Sequence, residues 1–486
     1  MRTGRLTLRS NVVLMKSDTR LTLPPSAGTR LRNPSMMRPI DRRHFLQGSA
    51  ASLAALGAAA AATGTAHAQE DSEVGQKTFG PNDTINVAVV GVRGRGMDHV
   101  RGFSSLKNKG VRIVAICDVD ENVAGNATKA IETVFGEKPK FYQDFRKLLE
   151  DDSIHVVSLA TPNHWHSLQG IWACQAGKDV YVEKPVSHNV FEGRKLVEAA
   201  RKYDRIVQTG CQCRSHKGIQ DAMEFLRSGK LGQIYMAKGL CYKPRGSIGK
   251  GKLQPVPEGL DYDLWTGPAE FHKPGDPSVY NPNLLHYNWH WVHNTGNGDL
   301  GNQGIHQMDL ARWGIGKETM PNTVQSAGGR YGYDDDGDTA NTQTVNFEFD
   351  DVLMQFEVRG LPTNDEKGVL IGDIFYGTEG ILTITSYTNW QTYMGHKMEP
   401  GPKGSGGGDH YDNFIQAVRS RKVEDLNADI EVGHMSSAYC HLGNIALRLG
   451  RKLHIDPSSE TFVNDSEANA MLTREYRSPY VVPTDV

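Results

Sequence analysis

The sequence lacks a hydrophobic run long enough to cross a membrane. Its longest apolar stretch, Gly48 to Ala62, has 15 residues, whereas a spanning helix needs about 20. It also lacks a basic excess, because 54 Lys and Arg stand against 56 Asp and Glu. A nucleic-acid-binding protein normally carries a basic surface. We therefore expect no nucleic-acid partner and no membrane span in the mature form.

Cysteine is scarce too, with six residues in 486 and no regular spacing, which excludes a small disulfide-stapled scaffold. The pair Cys211 and Cys213 would need a second pair to bind a metal, so we predict buried thiols and no metal site. The 52 glycines and 22 prolines make up about 15%, below the range of low-complexity chains. Hydrophobic residues are 38% of the chain, enough for two or three packed domains.

The N-terminal region carries three features in a recognisable order. The pair Arg42-Arg43 precedes the apolar run, and Ala66 and Ala68 supply small residues where a signal peptidase cleaves. This order predicts a twin-arginine export signal over residues 1–68, cleaved after Ala68, followed by a linker over 69–81. The partners and location implied are the twin-arginine machinery and the periplasm. A buried alanine-rich helix is the alternative interpretation.

The mature chain first alternates short Val/Ile-rich segments with helical patterns. Ile85 to Val90 and Val111 to Cys117 are two of the Val/Ile-rich segments, and Glu121 to Phe135 is one of the helical patterns. Such alternation is typical of a doubly wound parallel sheet. Residues 82–210 are therefore predicted to form an α/β Rossmann domain. After Gly210 the pattern changes to longer alternating strands such as Thr339 to Phe349. Residues 211–486 are predicted to form an α+β domain with a large, mostly antiparallel sheet.

A glycine turn follows the first predicted strand and precedes a helix. It contains Gly91, Arg93, Gly94, Arg95 and Gly96. Such a turn lets backbone N–H groups face a pyrophosphate, although Arg93 occupies the position of the middle glycine of the usual motif. The second strand ends at Asp118.

An acidic side chain at the end of the second strand can accept hydrogen bonds from both ribose hydroxyls of a dinucleotide. Asp118 would also repel a 2′-phosphate, so the pattern favours NAD over NADP as the cofactor. In the alternative interpretation Asp118 only caps the following helix.

Two further segments lie at predicted carboxyl ends of parallel strands, where open sheets bind ligands. They supply Thr161, Pro162, Asn163 and His166, and then Glu183 and Lys184. With these motifs, residues 82–450 strongly resemble the Gfo/Idh/MocA oxidoreductase family. The resemblance implies a dinucleotide fold joined to an antiparallel substrate domain.

The resemblance also implies roles for individual residues. Lys184 matches the lysine that contacts the nicotinamide ribose and the substrate hydroxyl, and His306 matches the catalytic histidine. Asn302 stands where the family commonly has an aspartate that pairs with this histidine, so Asp299 and Asp309 are the candidate substitutes. The family's domain-junction segment is matched by Gln212 and Arg214.

The segment from His286 to His293 is the densest cluster of aromatic and histidine residues. Flat rings suit the C–H faces of a pyranose, and polar tips suit its hydroxyls. Plain packing and a metal site are the alternative interpretations. The predicted substrate contacts are Arg214, Arg245, Tyr262, Trp265, Trp289, Trp291, His293 and His306.

Hydride transfer from a secondary alcohol needs a base and a positive charge near the developing alkoxide. We assign these roles to His306 and Lys184 and predict an NAD(P)-dependent oxidoreductase acting on a sugar, polyol or glycoside. Export implies a tightly bound nucleotide regenerated in the same site. A redox-neutral, NAD-dependent glycosidase satisfies the same constraint, and a sugar-binding protein without turnover is the third hypothesis. Family members often associate through the large sheet, which implies a homo-oligomer.

Overall fold

The computed structural model describes residues 78–80 and 82–486. The predicted export signal over 1–68 and most of the predicted linker over 69–81 lie outside the described residues. The described chain contains two large sheets and a two-stranded ribbon.

The first sheet is built from six short parallel strands. Its strand order is β3-β2-β1-β4-β5-β6, which is that of a doubly wound nucleotide-binding sheet. Strands β4 and β5 are fully buried, and β1 is buried except at Asn86, because helices cover both faces. The strands are β1 (Ile85–Val90), β2 (Val111–Cys117), β3 (Lys140–Tyr142), β4 (Val156–Leu159), β5 (Asp179–Val182) and β6 (Val207–Thr209).

Five α-helices connect these strands, and side-chain caps mark where two of them begin. Asp144 and Asn189 accept hydrogen bonds from the first-turn N–H groups of their helices. The helices are α1 (Arg95–Ser105), α2 (Ala124–Phe135), α3 (Phe145–Leu149), α4 (Asn163–Gln175) and α5 (Val190–Lys202). Short 3₁₀ turns occupy Lys107–Lys109 and Glu121–Val123.

The second sheet has ten strands in the order β16-β15-β14-β13-β7-β12-β11-β10-β17-β18. Its strands pair antiparallel, except that β12 and β7 pair parallel. Its strands are β7 (Ile234–Cys241), β10 (Thr323–Gly329), β11 (Thr342–Glu348), β12 (Leu353–Arg359), β13 (Ile371–Gly377), β14 (Gly380–Ile384), β15 (Asn389–Met394), β16 (Glu399–Ser405), β17 (Leu453–Asp456) and β18 (Thr461–Phe462). The separate ribbon pairs β8 (Gln254–Pro255) with β9 (Val279–Tyr280).

The remaining helices cover the second sheet or bridge to the first. They are α6 (Lys217–Arg227), α7 (Tyr262–Thr266), α8 (Gly298–Asn302), α9 (Gly304–Gly314), α10 (His410–Ser420), α11 (Ile430–Leu449) and α12 (Ser466–Ala470). Further 3₁₀ turns occupy Gln212–Ser215, Asn288–Trp291 and Val423–Asp425.

The hydrophobic cores do not follow the order of the chain. Phe414, Ile415 and Val418 of α10 are buried in the same cluster as Val87 and Phe103 of the parallel sheet and its first helix. A segment more than 300 residues further along the chain therefore completes one layer over the parallel sheet.

The α/β fold predicted from sequence is confirmed, with a parallel sheet first and a large, mostly antiparallel sheet after it. The differences are local. The strand β3 is three residues long, and β16 reads Glu-Pro-Gly-Pro-Lys-Gly-Ser, so neither shows hydrophobic alternation. Only pairing with a neighbouring strand defines them. All six cysteines are buried and unpaired.

None of the helices in the described part of the chain is long and apolar enough to span a membrane.

Candidate active site

A cavity of about 340 Å³ lies at the carboxyl edge of the parallel sheet. We call it the main cavity. It brings together residues that follow five strands of the first sheet, β1 to β5, with others from the 260–302 region. The predicted site residues that line it are Gly91, Arg93, Gly94, Arg95, Asp118, Thr161, Pro162, Asn163, His166, Glu183, Lys184, Trp265, Trp289 and Asn302.

The glycine turn forms one wall. A Cβ on Gly91, which has φ of +77°, would lie 2.8 Å from the Ala160 carbonyl oxygen, and one on Gly96 would lie 1.7 Å from the Gly91 oxygen. Gly94 has φ of +54° and open space beside it. No side chain caps α1. The N–H groups of Gly96 and Met97 donate to the carbonyls of Arg93 and Gly94, at 3.2 and 3.0 Å, so an anion at this N-terminus would be bound by the remaining N–H groups and by the helix dipole.

Asp118 lies where β2 ends and lines the same cavity. Its two oxygens accept hydrogen bonds from the N–H groups of Val92, at 2.9 Å, and Asp120, at 3.1 Å. Burial raises the pKa of Asp118 to about 6. The following 3₁₀ turn is capped by Asp120, so Asp118 is not the cap that the alternative interpretation required.

Glu183 is buried and holds the glycine turn against the end of β5. Its Oε1 accepts hydrogen bonds from Arg95 Nε at 2.8 Å, His99 Nε2 at 3.1 Å and Gln212 Nε2 at 3.3 Å. The Arg95 charge and the hydrogen bond from His99 keep the pKa of Glu183 well below its usual value despite burial. Gln212 thus lies behind the cavity wall and acts on it through Glu183.

The loop after β4 is tied to the loop after β5. The imidazole of His166 lies between the carbonyls of Pro185 and Thr161, at 2.6 and 2.7 Å. Asn163 Nδ2 donates to Asn297 Oδ1 at 2.9 Å. These contacts fix the edge of the sheet on which the cofactor would lie.

Lys184 extends toward the second part of the chain. Its Nζ donates to the backbone carbonyl of Asn302 at 3.0 Å, and burial lowers its pKa. The amide side chain of Asn302 is not used in this contact. His306 lies one turn further on and is buried, and its Nδ1 has no hydrogen-bond partner among the described residues. Burial and the Lys184 charge lower the pKa of His306 to about 3.

The expected carboxylate partners of His306 are engaged elsewhere, which corrects the sequence-based expectation. Asp309 is bidentate to Arg214 at 2.8 and 2.9 Å. Asp299 is bidentate to Arg245 at 3.0 Å. Both arginines are thus held in ion pairs with carboxylates, Arg214 in a buried pair and Arg245 in a half-buried one. A guanidinium and a carboxylate can form two parallel hydrogen bonds, which accounts for the bidentate geometry. Neither arginine lines the main cavity.

The aromatic and histidine side chains predicted to contact the substrate lie in different parts of the structure. Trp265 and Trp289 line the main cavity, and Tyr262 stacks against Trp265 with ring centroids 5.8 Å apart. Trp291 is buried beneath the guanidinium of Arg245, at 5.0 Å. His293 lines a second cavity of about 540 Å³. Tyr262, Trp291 and His293 are thus outside the main cavity.

Sequence reasoning missed several residues that line the main cavity, among them Arg146, His286, Tyr287 and His290. The last three belong to the segment already noted for its rings, but the sequence did not show which of its side chains would face the cavity. Arg146 had no sequence signal, since it follows the three-residue strand β3. No group of three or more His, Cys, Asp or Glu side chains in the described ranges could hold a metal ion.

The close-packed glycine turn, the uncapped helix and the acidic strand end fit a dinucleotide, and the cavity residues define an oxidoreductase-type site. Residues 85–211 match the family model "Oxidoreductase family, NAD-binding Rossmann fold", and residues 233–482 match "Oxidoreductase family, C-terminal alpha/beta domain". The chain therefore belongs to the Gfo/Idh/MocA oxidoreductase family, whose first domain binds NAD.

Curated relatives show sequence similarity over part of the chain. This chain is 32% identical over 210 residues to a "Glycosyl hydrolase family 109 protein 2" of Shewanella sp. (strain ANA-3), and the match covers 41% of this chain and 45% of the relative. It is 32% identical over 160 residues to an "Inositol 2-dehydrogenase" of Salmonella typhimurium, covering 33% of this chain and 46% of the relative. The matched region spans about half the length of these relatives.

Solved structures share the fold at lower identity. The WlbA dehydrogenase from Bordetella pertussis, in complex with NADH and UDP-GlcNAcA, aligns with a TM-score of 0.57 and 18% identity, over 77% of this chain and 99% of that chain. The aldose-aldose oxidoreductase from Caulobacter crescentus, complexed with glycerol, aligns with a TM-score of 0.57 and 15% identity, over 76% of this chain and 100% of that chain.

Proposed function

We propose that the protein is an exported oxidoreductase that retains its nicotinamide dinucleotide and acts on a secondary alcohol of a sugar, polyol or glycoside. The observation that carries this proposal is that Lys184 lines the same cavity as the glycine turn and Asp118. The dehydrogenase and glycosidase relatives act on carbohydrates by name, which supports the substrate class.

In this proposal the chain's residues have separate tasks. The glycine turn and the α1 N-terminus hold the pyrophosphate, and Asp118 binds the ribose and favours NAD over NADP. When bound, the dinucleotide supplies a hydride acceptor. Lys184 stabilises negative charge on the reacting oxygen, and a histidine takes the hydroxyl proton, a role that the sequence motif assigns to His306. The rings of Trp265 and Trp289 supply flat faces for the sugar.

A redox-neutral glycosidase is the second candidate, because relatives named as glycosyl hydrolases match the chain. It would use the same lysine and histidine and would release an aglycone with no net change in the nucleotide.

One experiment separates the candidates. The purified protein is denatured and the released nucleotide is identified by mass, while the native protein is followed at the absorbance band of reduced nicotinamide as sugars and aryl glycosides are added. A change in the band indicates oxidoreduction, and aglycone release without net change indicates a glycosidase. Neither outcome, with sugar still bound, indicates a binding protein. Protein that contains no pyridine dinucleotide and takes none up would contradict the proposal.

Export rests on Arg42-Arg43, the apolar run and the Ala66 to Ala68 cleavage pattern. Replacing the arginine pair by Lys-Lys should keep the protein in the cytoplasm, as measured by fractionation. We also propose a homo-oligomer formed through the large sheet, because strands β11 and β12 alternate buried and half-exposed residues. Light scattering on the purified protein measures the subunit number.

A further inference from the structure

Three imidazoles line the main cavity, those of His166, His286 and His290, whereas His306, the histidine expected from the sequence motif, does not line it. His290 is part of the 3₁₀ turn Asn288–Trp291 and lines the cavity together with Lys184. Its ring stacks on the indole of Trp289 with centroids 3.6 Å apart and planes 19° apart. Because Trp289 is itself buried, this contact holds the plane of the imidazole in place.

The hydrogen bonds of His290 determine which nitrogen carries the proton. Its Nδ1 lies within hydrogen-bond distance of the Tyr287 carbonyl oxygen. A carbonyl only accepts, so Nδ1 carries the hydrogen and Nε2 keeps its lone pair. No described group bonds to Nε2. A hydrogen bond on the other nitrogen that orients the ring is typical of a histidine acting as a general base.

The surroundings keep this lone pair available. Burial lowers the pKa of His290 to about 3, and the charge of Lys184 lowers it as well. The imidazole is therefore neutral near pH 7, and the nearby ammonium supplies the positive charge. His306, by contrast, has no partner on Nδ1, so nothing in the described structure fixes its tautomer.

We propose that His290, in place of His306, is the catalytic residue whose Nε2 accepts the proton of the substrate's reacting hydroxyl. This inference rests on the proposed function. The O–H bond breaks and the proton moves to Nε2. The electron pair of the adjacent C–H bond leaves as a hydride to the nicotinamide dinucleotide, and a carbonyl forms at the sugar carbon. Lys184 stabilises the oxygen as its negative charge develops.

The test compares His290→Gln and His290→Ala with the full-length wild type. The glutamine amide accepts a hydrogen bond but cannot take a proton, so His290→Gln should keep KM within about threefold and lower kcat about a hundredfold. Added imidazole should restore part of the kcat of His290→Ala. Both variants should retain bound nucleotide, measured by mass after denaturation. His396→Gln, in an exposed turn, controls for loss of an imidazole elsewhere.

A readout independent of turnover is the ¹⁵N spectrum of histidine-labelled protein, assigned by the signal that disappears in His290→Gln. At pH 7 it should show a protonated Nδ1 and an unprotonated Nε2. The opposite tautomer would overturn the inference, as would a kcat within twofold of wild type in both variants or loss of kcat without imidazole rescue. If the wild type turns over no sugar, both the proposed function and the role of His290 are contradicted. If the wild type is active and the variants are unaffected, only the role of His290 is contradicted.

Discussion

Arg95 Nε donates a hydrogen bond to Glu183 Oε1 at 2.8 Å, and this contact joins the glycine turn to the end of strand β5. The carboxylate is almost completely buried, whereas the guanidinium is 40% exposed on the side of the main cavity. The two loops that would enclose the dinucleotide are thus held together by one ion pair. We infer that this pair contributes more to nucleotide retention than to the reaction itself.

The Glu183→Gln substitution removes the negative charge that pairs with Arg95. It also replaces the carboxylate oxygen that accepts a hydrogen bond from His99. We expect the bound nucleotide to dissociate about tenfold faster, and the free energy of unfolding to fall by about 1–2 kcal/mol because buried donors lose an anionic acceptor. Dialysis followed by nucleotide quantification measures the first effect, and denaturant unfolding measures the second. Asp98→Asn is the matched control, since Asp98 pairs with the same arginine at an exposed site. Equal retention in the two variants would contradict the inference.

Lys184→Ala removes the ammonium from the main cavity. We expect turnover to fall tenfold to a hundredfold or more while the nucleotide stays bound, because the charge acts on the reacting oxygen. Steady-state kinetics and the nucleotide content of the purified variant check both parts. Near-wild-type turnover would exclude Lys184 from the mechanism.

Asp118→Asn removes the carboxylate that repels a 2′-phosphate. We expect the preference for NAD over NADP to fall about tenfold, which corresponds to about 1.4 kcal/mol, as measured by titration of nucleotide-free protein. Arg93 and Arg146 already line the same cavity and could pair with the phosphate. Asp120→Asn keeps a capping side chain outside the cavity and should leave the preference unchanged.

The same preference should depend on pH in the wild type. Since burial raises the pKa of Asp118 to about 6, the carboxylate becomes neutral below pH 6 and its repulsion is lost. The ratio of the two dissociation constants should therefore approach that of Asp118→Asn between pH 6 and 5. A ratio that stays constant over this range would show that Asp118 does not discriminate the nucleotides.

Asp373 offers a test of stability away from the cavity. It is fully buried on β13, neither oxygen has a hydrogen-bond partner among the described residues, and burial raises its pKa well above the usual value. The folded state keeps this proton above pH 4, whereas the unfolded state releases it. Stability contributed by this group is therefore lost as pH rises, by up to about 1.4 kcal/mol per pH unit.

Asp373→Asn removes this titration with little change in shape. We expect the variant to be more stable than the wild type at pH 7 to 8 and nearly equal to it below pH 4. Denaturant unfolding at several pH values measures the difference. A wild-type advantage at pH 8 would mean that the carboxylate is ionised and paired in the folded protein.

Much of the N-terminal half could be predicted because its signals are local. Hydrophobic segments bounded by glycine turns give parallel strands whose carboxyl ends share one edge, so Gly91, Asp118, Asn163 and Lys184 converge as expected. The pairing partners of Arg214 and Arg245 could not be predicted in this way. Their carboxylates, Asp309 and Asp299, are 95 and 54 residues away in the chain, and only the packing of the second sheet brings them together.

The sequence by itself determined the order of strands and helices, the glycine turn and the residue types available for catalysis, because these depend on neighbours within one or two turns of chain. The tertiary structure decided which side of the 286–293 segment faces the cavity, so that His290 and not His293 lies beside Lys184. It also decided that the carboxylates of Asp309 and Asp299 are paired with arginines and are not available to His306. Both outcomes depend on burial and on charges brought together from distant parts of the chain, and local sequence does not encode either.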